Sequence, residues 1–77
     1  MIRLRIRELL EQQGRTKYWL RKQLNDMSYT NLSNLVNNNV RSIRLETIDK
    51  ISKILNVEPG ELFERVETES PDNSDNE

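Results

Sequence analysis

The sequence predicts an all-α fold, a compact bundle of five short helices. Its apolar residues are mainly Leu and Ile, with few aromatics and no Ala, in a chain of 77 residues. They recur every three or four positions within separate segments, which is the spacing of helices that bury one face. A chain of this length forms one small domain.

The ends of the five segments carry the residues expected at helix boundaries. Gly14 stops the first helix because glycine readily takes a left-handed conformation. Thr16 and Ser28 can cap the second and third helices through their hydroxyls, and Pro59 suits the first turn of the fifth. The predicted helices span residues 5–13, 17–24, 29–37, 45–55 and 58–63.

The inward side chains follow from the same spacing. Tyr18 and Trp19 are interpreted as packing residues rather than as a platform for stacked bases, because aromatics at helical spacing usually pack. Met27 is expected to turn inward from the corner between the second and third helices. The predicted core also includes Ile6, Leu9, Leu10, Leu20, Leu24, Leu32, Leu35, Val36, Leu45, Ile48, Ile51, Ile54, Leu55, Leu62 and Phe63.

Two stretches depart from the helical pattern. Residues 2–6 and residues 40–44 alternate apolar and polar side chains, which is typical of strands, and they are expected to pair as a short ribbon within or between chains. The fold therefore allows a short N-terminal strand. In the corner, Asn25 is expected to take a left-handed conformation, which asparagine tolerates better than most residues.

The charges are segregated along the chain. Residues 1–57 carry eleven Arg and Lys against five Asp and Glu, a net charge of +6, whereas residues 66–77 carry five acids and no base. A basic body with an acidic tail is typical of proteins with nucleic-acid partners. Solvated helix surfaces would also account for the basic residues, so the asymmetry supports a nucleic-acid partner only together with other features.

The third helix offers an outer face of uncharged side chains that form hydrogen bonds. Ordinary helix surfaces are rich in Glu and Lys, and this face has neither. Hydroxyls and amides can donate to and accept from base edges in the major groove. With the second helix and the corner, this face predicts a helix-turn-helix that binds DNA. The outward residues are Tyr29, Thr30, Ser33, Asn34 and Asn37.

The order of these pieces resembles a known family. The stretches ELLEQQGRTKYWL, SYTNLSNLVNN, RLETIDKISKIL and NVEPGELF are similar, over residues 6–63, to Cro/lambda-repressor-type (XRE) helix-turn-helix domains. The resemblance implies a lambda-repressor-like five-helix bundle, transcriptional regulation, a location in the cytoplasm of a bacterial or phage-infected cell, and operators with two half-sites. Two features depart from the family. Arg21 stands where a small residue is usual, and the corner is one residue longer.

The resemblance also implies roles for individual residues. Tyr29, Thr30 and Asn34 match the positions that touch bases, and Ser33 is the next expected contact. Asn34 would bond an adenine edge, and the Thr30 methyl would meet a thymine methyl. Phosphate contacts are expected from basic and amide side chains that flank this helix, although any one of these could be a bystander. They are Arg15, Lys17, Arg21, Asn38, Asn39, Arg41 and Arg44.

One recognition helix rarely gives tight specific binding, so double-stranded DNA is expected to be bound by a homodimer on two half-sites. Candidate dimer surfaces are Ile2 with Leu4, and the surface around Leu62, Phe63 and Val66. The DNA-binding domain is expected to span residues 1–65. Residues 66–77 form an acidic tail that is expected to be disordered.

The tail is interpreted first as a solubilising end. A competitor for the basic surface and a handle for a protein partner are the alternatives. No membrane partner is expected, because no apolar run is long enough to span a bilayer and no signal-peptide pattern opens the chain.

The leading functional hypothesis is a sequence-specific repressor from a phage, plasmid or other mobile element. The alternative is an antitoxin or anti-repressor whose fold mainly holds a protein partner, which a neighbouring toxin gene would favour. An enzyme is set aside, because the chain has no His, no Cys and no phosphate-binding Gly loop. No cofactor or metal is expected.

Overall fold

Four α-helices and a two-stranded ribbon make up the fold of residues 1–67, the part of the chain that the computed structural model describes. The helices are α1 (Ile6–Gln12), α2 (Lys17–Gln23), α3 (Tyr29–Val36) and α4 (Leu45–Leu55), and a 3₁₀ turn follows at Pro59–Leu62. Strands β1 (Ile2–Leu4) and β2 (Phe63–Arg65) pair antiparallel, so the two ends of the described chain meet. None of these helices is long and apolar enough to cross a membrane.

All the helices and the ribbon share one hydrophobic core. The helical spacing is confirmed, because each helix turns its predicted apolar stripe inward, with the exception of Leu45 in α4. Trp19 and Met27 pack against the margin of the core, as predicted. The most deeply buried side chains are Ile6, Leu20, Leu32, Ile51, Leu55 and Leu62.

Helices α2 and α3 begin at the polar N-caps that the sequence predicts. The Thr16 hydroxyl accepts a hydrogen bond from the Trp19 N–H at 3.0 Å, and the Ser28 hydroxyl accepts one from the Asn31 N–H at 3.1 Å. These bonds satisfy N–H groups that the first turns of α2 and α3 leave without a partner. The cap residues therefore set where both helices begin.

The left-handed positions differ from the prediction at the corner. Within residues 1–67, the residues with positive φ are Gly14, Asn38 and Asn56, so the prediction for Asn25 is wrong. Asn56 ends α4 with φ 59°, and Asn38 follows the end of α3 with φ 60°. Helix ends create this requirement, because a left-handed residue lets the chain turn away while the last carbonyls remain bonded.

The predicted fifth helix is wrong, because residues 59–62 form only a 3₁₀ turn. Glu58 caps this turn through a reciprocal pair of bonds with Glu61. The next residue, Phe63, is extended, with φ −135° and ψ 163°. The chain leaves the helical path there because its backbone pairs with the N-terminal strand, beginning with a 2.7 Å bond from the Arg5 N–H to the Leu62 carbonyl.

The N-terminal strand is confirmed, but the predicted ribbon between residues 2–6 and 40–44 is wrong. β1 pairs with β2, and Leu4 lies opposite Phe63. Residues 40–44 form no strand and connect α3 to α4, with Ile43 packed against the core. Leu4 is buried and Phe63 packs against the core beside it, so this pairing closes the core. The segment 40–44 borders the core at another point, through Ile43.

Two side chains predicted to face inward lie outside. Leu45 is 83% exposed, because it begins α4 and its Cα–Cβ bond tilts back towards the start of the helix, away from the core. The buried stripe of α4 starts one turn later, at Ile48. Tyr18 is 63% exposed, so only its neighbour Trp19 has the packing role predicted for both.

The candidate dimer surfaces are smaller than predicted. Leu4 and Leu62 are buried in the core of one chain, which leaves Ile2, Phe63 and Val66. Val66, placed in the tail from the sequence, pairs with Met1 through two backbone bonds of 2.8 and 3.0 Å. The rest of the predicted tail, residues 68–77, lies outside the described residues.

Candidate nucleic-acid interface

Helix α3 is anchored on one face and free on the other. Leu32, Leu35 and Val36 are buried, and Ser28 caps the start. On the outer face Thr30 is exposed and Tyr29 is 48% exposed. The predicted base-reading residues Ser33 and Asn34 lie on the same side and are half-buried. The face therefore presents two hydroxyls, a phenol and an amide, with no charge of its own.

Lys17 connects the beginning of α2 to this face. Its ammonium donates a hydrogen bond to the Ser33 hydroxyl at 3.0 Å and lies 5.1 Å from the centre of the Tyr29 ring. An ammonium has three N–H donors, so contact with Ser33 leaves donors for an anion. The predicted phosphate residue Lys17 thus lies beside two predicted base-reading residues.

An ion pair links the corner between α2 and α3 to α4. The Lys50 ammonium and the Asp26 carboxylate are 2.5 Å apart. The hydrogen bond and charge of Lys50 lower the pKa of Asp26, and those of Asp26 raise the pKa of Lys50. Met27, the next residue, packs against the core and bonds back to the Leu24 carbonyl at 3.1 Å. The corner is therefore tied both to the core and to α4.

A second basic group lies at the other end of α3. Arg7 on α1 donates a hydrogen bond to the Asn37 side chain, which follows the last turn of α3. Arg7, Arg15 and Lys17 line one shallow depression that Val36 also borders. The Arg15 guanidinium stacks on the Trp19 ring at 4.4 Å, which limits its freedom. This contact of Arg7 was not predicted from the sequence, because no local pattern links Arg7 to a residue thirty positions away.

Arg21 is a residue of α2 and lies near the start of α3. It lines a depression with Tyr18, Lys22 and Tyr29, and it is half-buried. The Lys22 ammonium lies 5.1 Å from the centre of the Tyr18 ring. The Arg21 side chain therefore lies at the margin of the helix pair.

The connection between α3 and α4 carries three more of the predicted phosphate residues. Asn39, Arg41 and Arg44 are all exposed. The Asn39 backbone N–H donates to the Asn34 carbonyl at 2.7 Å, which fixes the connection to the end of α3. Arg44 precedes α4, and its side chain forms no capping hydrogen bond there.

Asn38 forms contacts within the fold that were not predicted from the sequence. Its side-chain oxygen accepts from the Leu4 N–H at 2.7 Å, and its side-chain nitrogen donates to the Leu4 carbonyl at 3.1 Å. Its own backbone N–H donates to Leu35. Both ends of the amide are therefore engaged within the fold, and Asn38 joins the end of α3 to β1.

The family of the chain follows from comparison with known proteins. Residues 5–68 match the model of the Cro/C1-type helix-turn-helix (HTH) DNA-binding domain. The chain belongs to this family. The Cro/C1-type domain is similar to a crystal structure of a protein from Bacteroides fragilis, described provisionally as DNA-binding, with a TM-score of 0.73 and 30% identity. That likeness covers 83% of this chain and 100% of the other. No curated protein matches the chain significantly.

Membership of the Cro/C1-type family confirms the resemblance seen in the sequence. It identifies a helix-turn-helix domain that binds DNA. In this Cro/C1-type domain, α2, the corner and α3 form the helix-turn-helix. The uncharged face of α3 and the basic side chains at its two ends are accordingly the candidate contact surface.

Proposed function

We propose that this protein is a sequence-specific transcriptional repressor of a phage, plasmid or other mobile element. It would act in the cytoplasm of the bacterial or phage-infected cell and bind as a homodimer on two half-sites. The observation that carries the proposal is the outer face of α3, where uncharged donors and acceptors lie beside the Lys17 ammonium. Such a face suits the base edges of a major groove, and the flanking charge suits the phosphates.

Base reading is assigned to four residues of α3. Asn34 offers the amide that pairs bidentately with adenine, and the Thr30 methyl suits the methyl group of thymine. Because the Ser33 hydroxyl accepts from Lys17, its own hydrogen is available for an acceptor on a base. Tyr29 contributes a phenol at the start of the helix, where a base edge or a phosphate is in reach.

Phosphate contacts are assigned to the basic residues around α3. They lie in two groups, one near α1 and α2 and the other after α3, so they would hold the two backbones that border the groove. Asn38 is left out because its amide binds Leu4, and Arg7 is added because it lines the depression next to Lys17. The set is Arg7, Arg15, Lys17, Arg21, Asn39, Arg41 and Arg44.

Selection of bound DNA from a random pool tests this function. We expect a recovered motif with two-fold symmetry and half-sites about one helical turn apart. Repression would then be measured with the motif placed in a promoter. Binding that is indifferent to sequence would overturn the proposal, and so would recovery of an asymmetric motif of one half-site only.

A further inference from the structure

Three basic side chains line one shallow depression, which lies where α1, the beginning of α2 and the end of α3 meet. They are Arg7, Arg15 and Lys17. Glu11 is the one acid among the residues from 1 to 67 that line it. The side chains of Arg7 and Arg15 are exposed, and that of Lys17 is half-buried. The depression therefore presents an excess of positive charge to solvent.

Each of these three bases is held by an uncharged group. Arg7 donates to the Asn37 side chain, and Lys17 donates to a hydroxyl of α3. The Arg15 guanidinium stacks on the Trp19 ring. No acid among residues 1–67 lies within ion-pair distance of any of the three. A concave site that is lined by one sign of charge concentrates groups of the opposite sign, so the depression suits carboxylates or phosphates.

An acidic segment, residues 68–77, follows the described part of the chain. Its charged residues are four acids and no base, namely Glu69, Asp72, Asp75 and Glu77. We propose that the depression is a docking site for this segment of the same chain. Its carboxylates would then bind the guanidinium and ammonium groups to which the proposed function assigns DNA phosphates, so the segment would compete with DNA.

The path from the ribbon to the depression is within reach of this segment. The chain leaves the ribbon beside Met1. Leu4 lies about 10 Å further along β1, at about 3.3 Å per residue, and bonds to Asn38. The residue before it, Asn37, is the partner of Arg7. Ten extended residues span up to about 35 Å. The segment can therefore fold back along β1 and bring its later acids to the depression.

Attachment to the same chain makes a weak contact effective. A short flexible connection gives the segment an effective concentration on the order of millimolar at the depression. DNA can contact these bases only in molecules from which the segment has dissociated. If the segment occupies about two thirds of the molecules, the apparent Kd for any duplex rises about threefold. Docking would therefore set the affinity of the domain for DNA and leave its sequence preference unchanged.

Docking can be measured in the full chain without DNA, so its failure is distinguishable from a failure of the proposed function. The neutral-segment variant, Glu69→Gln/Asp72→Asn/Asp75→Asn/Glu77→Gln, removes the four charges and keeps the length of the chain. NMR shifts of Arg7, Arg15 and Trp19 should differ between this variant and the wild type. The differences should vanish in about 1 M salt, where the Debye length is about 3 Å.

Three NMR results would overturn the docking site. The first is a set of shift differences confined to the substituted residues and their neighbours in the chain. The second is a set of differences centred on Arg41 and Arg44 instead of the depression. The third is a set of differences that grow with protein concentration, since the segment of a second copy would then be the occupant.

The affinity for a duplex of random sequence at low salt provides a second measurement. The neutral-segment variant should bind this duplex about threefold more tightly than the wild type does. The same four substitutions should give a smaller gain in an Arg7→Gln background, because the segment has lost a partner there. A Lys53→Gln background is the matched control and should keep the full gain, since Lys53 lies on α4 and pairs with Asp49. Equal gains in the Arg7→Gln and Lys53→Gln backgrounds would indicate long-range repulsion between the segment and DNA, and would overturn docking at the depression. Circular dichroism checks that every variant folds.

Discussion

The Lys17 ammonium donates to the Ser33 hydroxyl at 3.0 Å and thereby joins the first turn of α2 to the outer face of α3. Its position over the Tyr29 ring, at 5.1 Å, adds a second contact with the same helix. A positive charge thus lies at the border of an otherwise uncharged face. In the proposed function, Lys17 contacts a phosphate and Ser33 contacts a base. Separate substitutions of phosphate-contacting and base-contacting residues can therefore test the two roles.

Asn34→Ala should reduce specificity at one position of the site. Removal of the amide from the outer face of α3 should cost about 1–3 kcal/mol of binding on the preferred sequence and relax the choice of one base pair. Titration against the selected site and its single-base variants measures both effects. Gln12→Ala is the matched control, because Gln12 is an exposed amide at the end of α1, outside α3. Equal losses on all base variants would contradict base reading by Asn34.

Lys17→Ala should act on affinity and leave the sequence preference largely unchanged. Loss of one phosphate contact should weaken binding to every sequence and reduce the slope of log affinity against log salt by about one. Lys53→Ala changes the net charge equally and serves as the control, since Lys53 is on α4 and pairs with Asp49 at 3.1 Å. An unaltered salt slope in Lys17→Ala would show that its ammonium does not reach a phosphate.

Local features of the fold could be predicted from the sequence. Helical periodicity located all four α-helices, and the hydroxyls of Thr16 and Ser28 located two of their starts, because caps and stripes act over one or two turns. The polar face of α3 could be predicted for the same reason. Once Leu32 and Leu35 face inward, helical geometry sends Thr30 outward.

Contacts between distant segments could not be predicted in this way. The strand pairing joins Arg3 to Glu64, sixty-one positions apart, and a strand of three residues has too little pattern to show its partner. The role of Asn38 depends on Leu4, thirty-four positions away. Three successive Asn residues indicated a loop after α3, but only the folded chain shows which amide meets a strand.

The ion pair between Asp26 and Lys50 should make stability depend on pH at both extremes. An Asp with a lowered folded pKa stabilises the fold above its unfolded pKa, about 3.9, and this stabilisation is lost as pH falls through the folded value. A Lys with a raised folded pKa stabilises below its unfolded pKa, about 10.4, and this is lost as pH rises through the folded value. Both groups are exposed, so the effect is modest.

Lys50→Met should therefore lower Tm near neutral pH, and the difference from the wild type should close as pH falls from about 5 to about 2. Thermal unfolding followed by circular dichroism across this range measures it. Lys53→Met is the control, since it removes an equal charge whose partner, Asp49, is on the same helix. A difference that persists unchanged at the acid end would show that Lys50 stabilises the corner by other means than its bond to Asp26.

Two substitutions of Asn38 should separate the contributions of its backbone conformation and of its side-chain amide to stability. Asn38→Gly keeps the left-handed conformation and removes two hydrogen bonds to Leu4, which should cost about 1–3 kcal/mol of unfolding free energy. Asn38→Ala should cost about 1 kcal/mol more, because a Cβ is unfavourable at φ 60°. Urea unfolding measures both, with the exposed neighbour substitution Asn39→Ala as the control. If the Ala variant were as stable as the Gly variant, the conformational argument would be wrong. The salt slope of DNA binding by folded Asn38→Gly should match that of the wild type, since an amide that holds β1 releases no counterion from DNA.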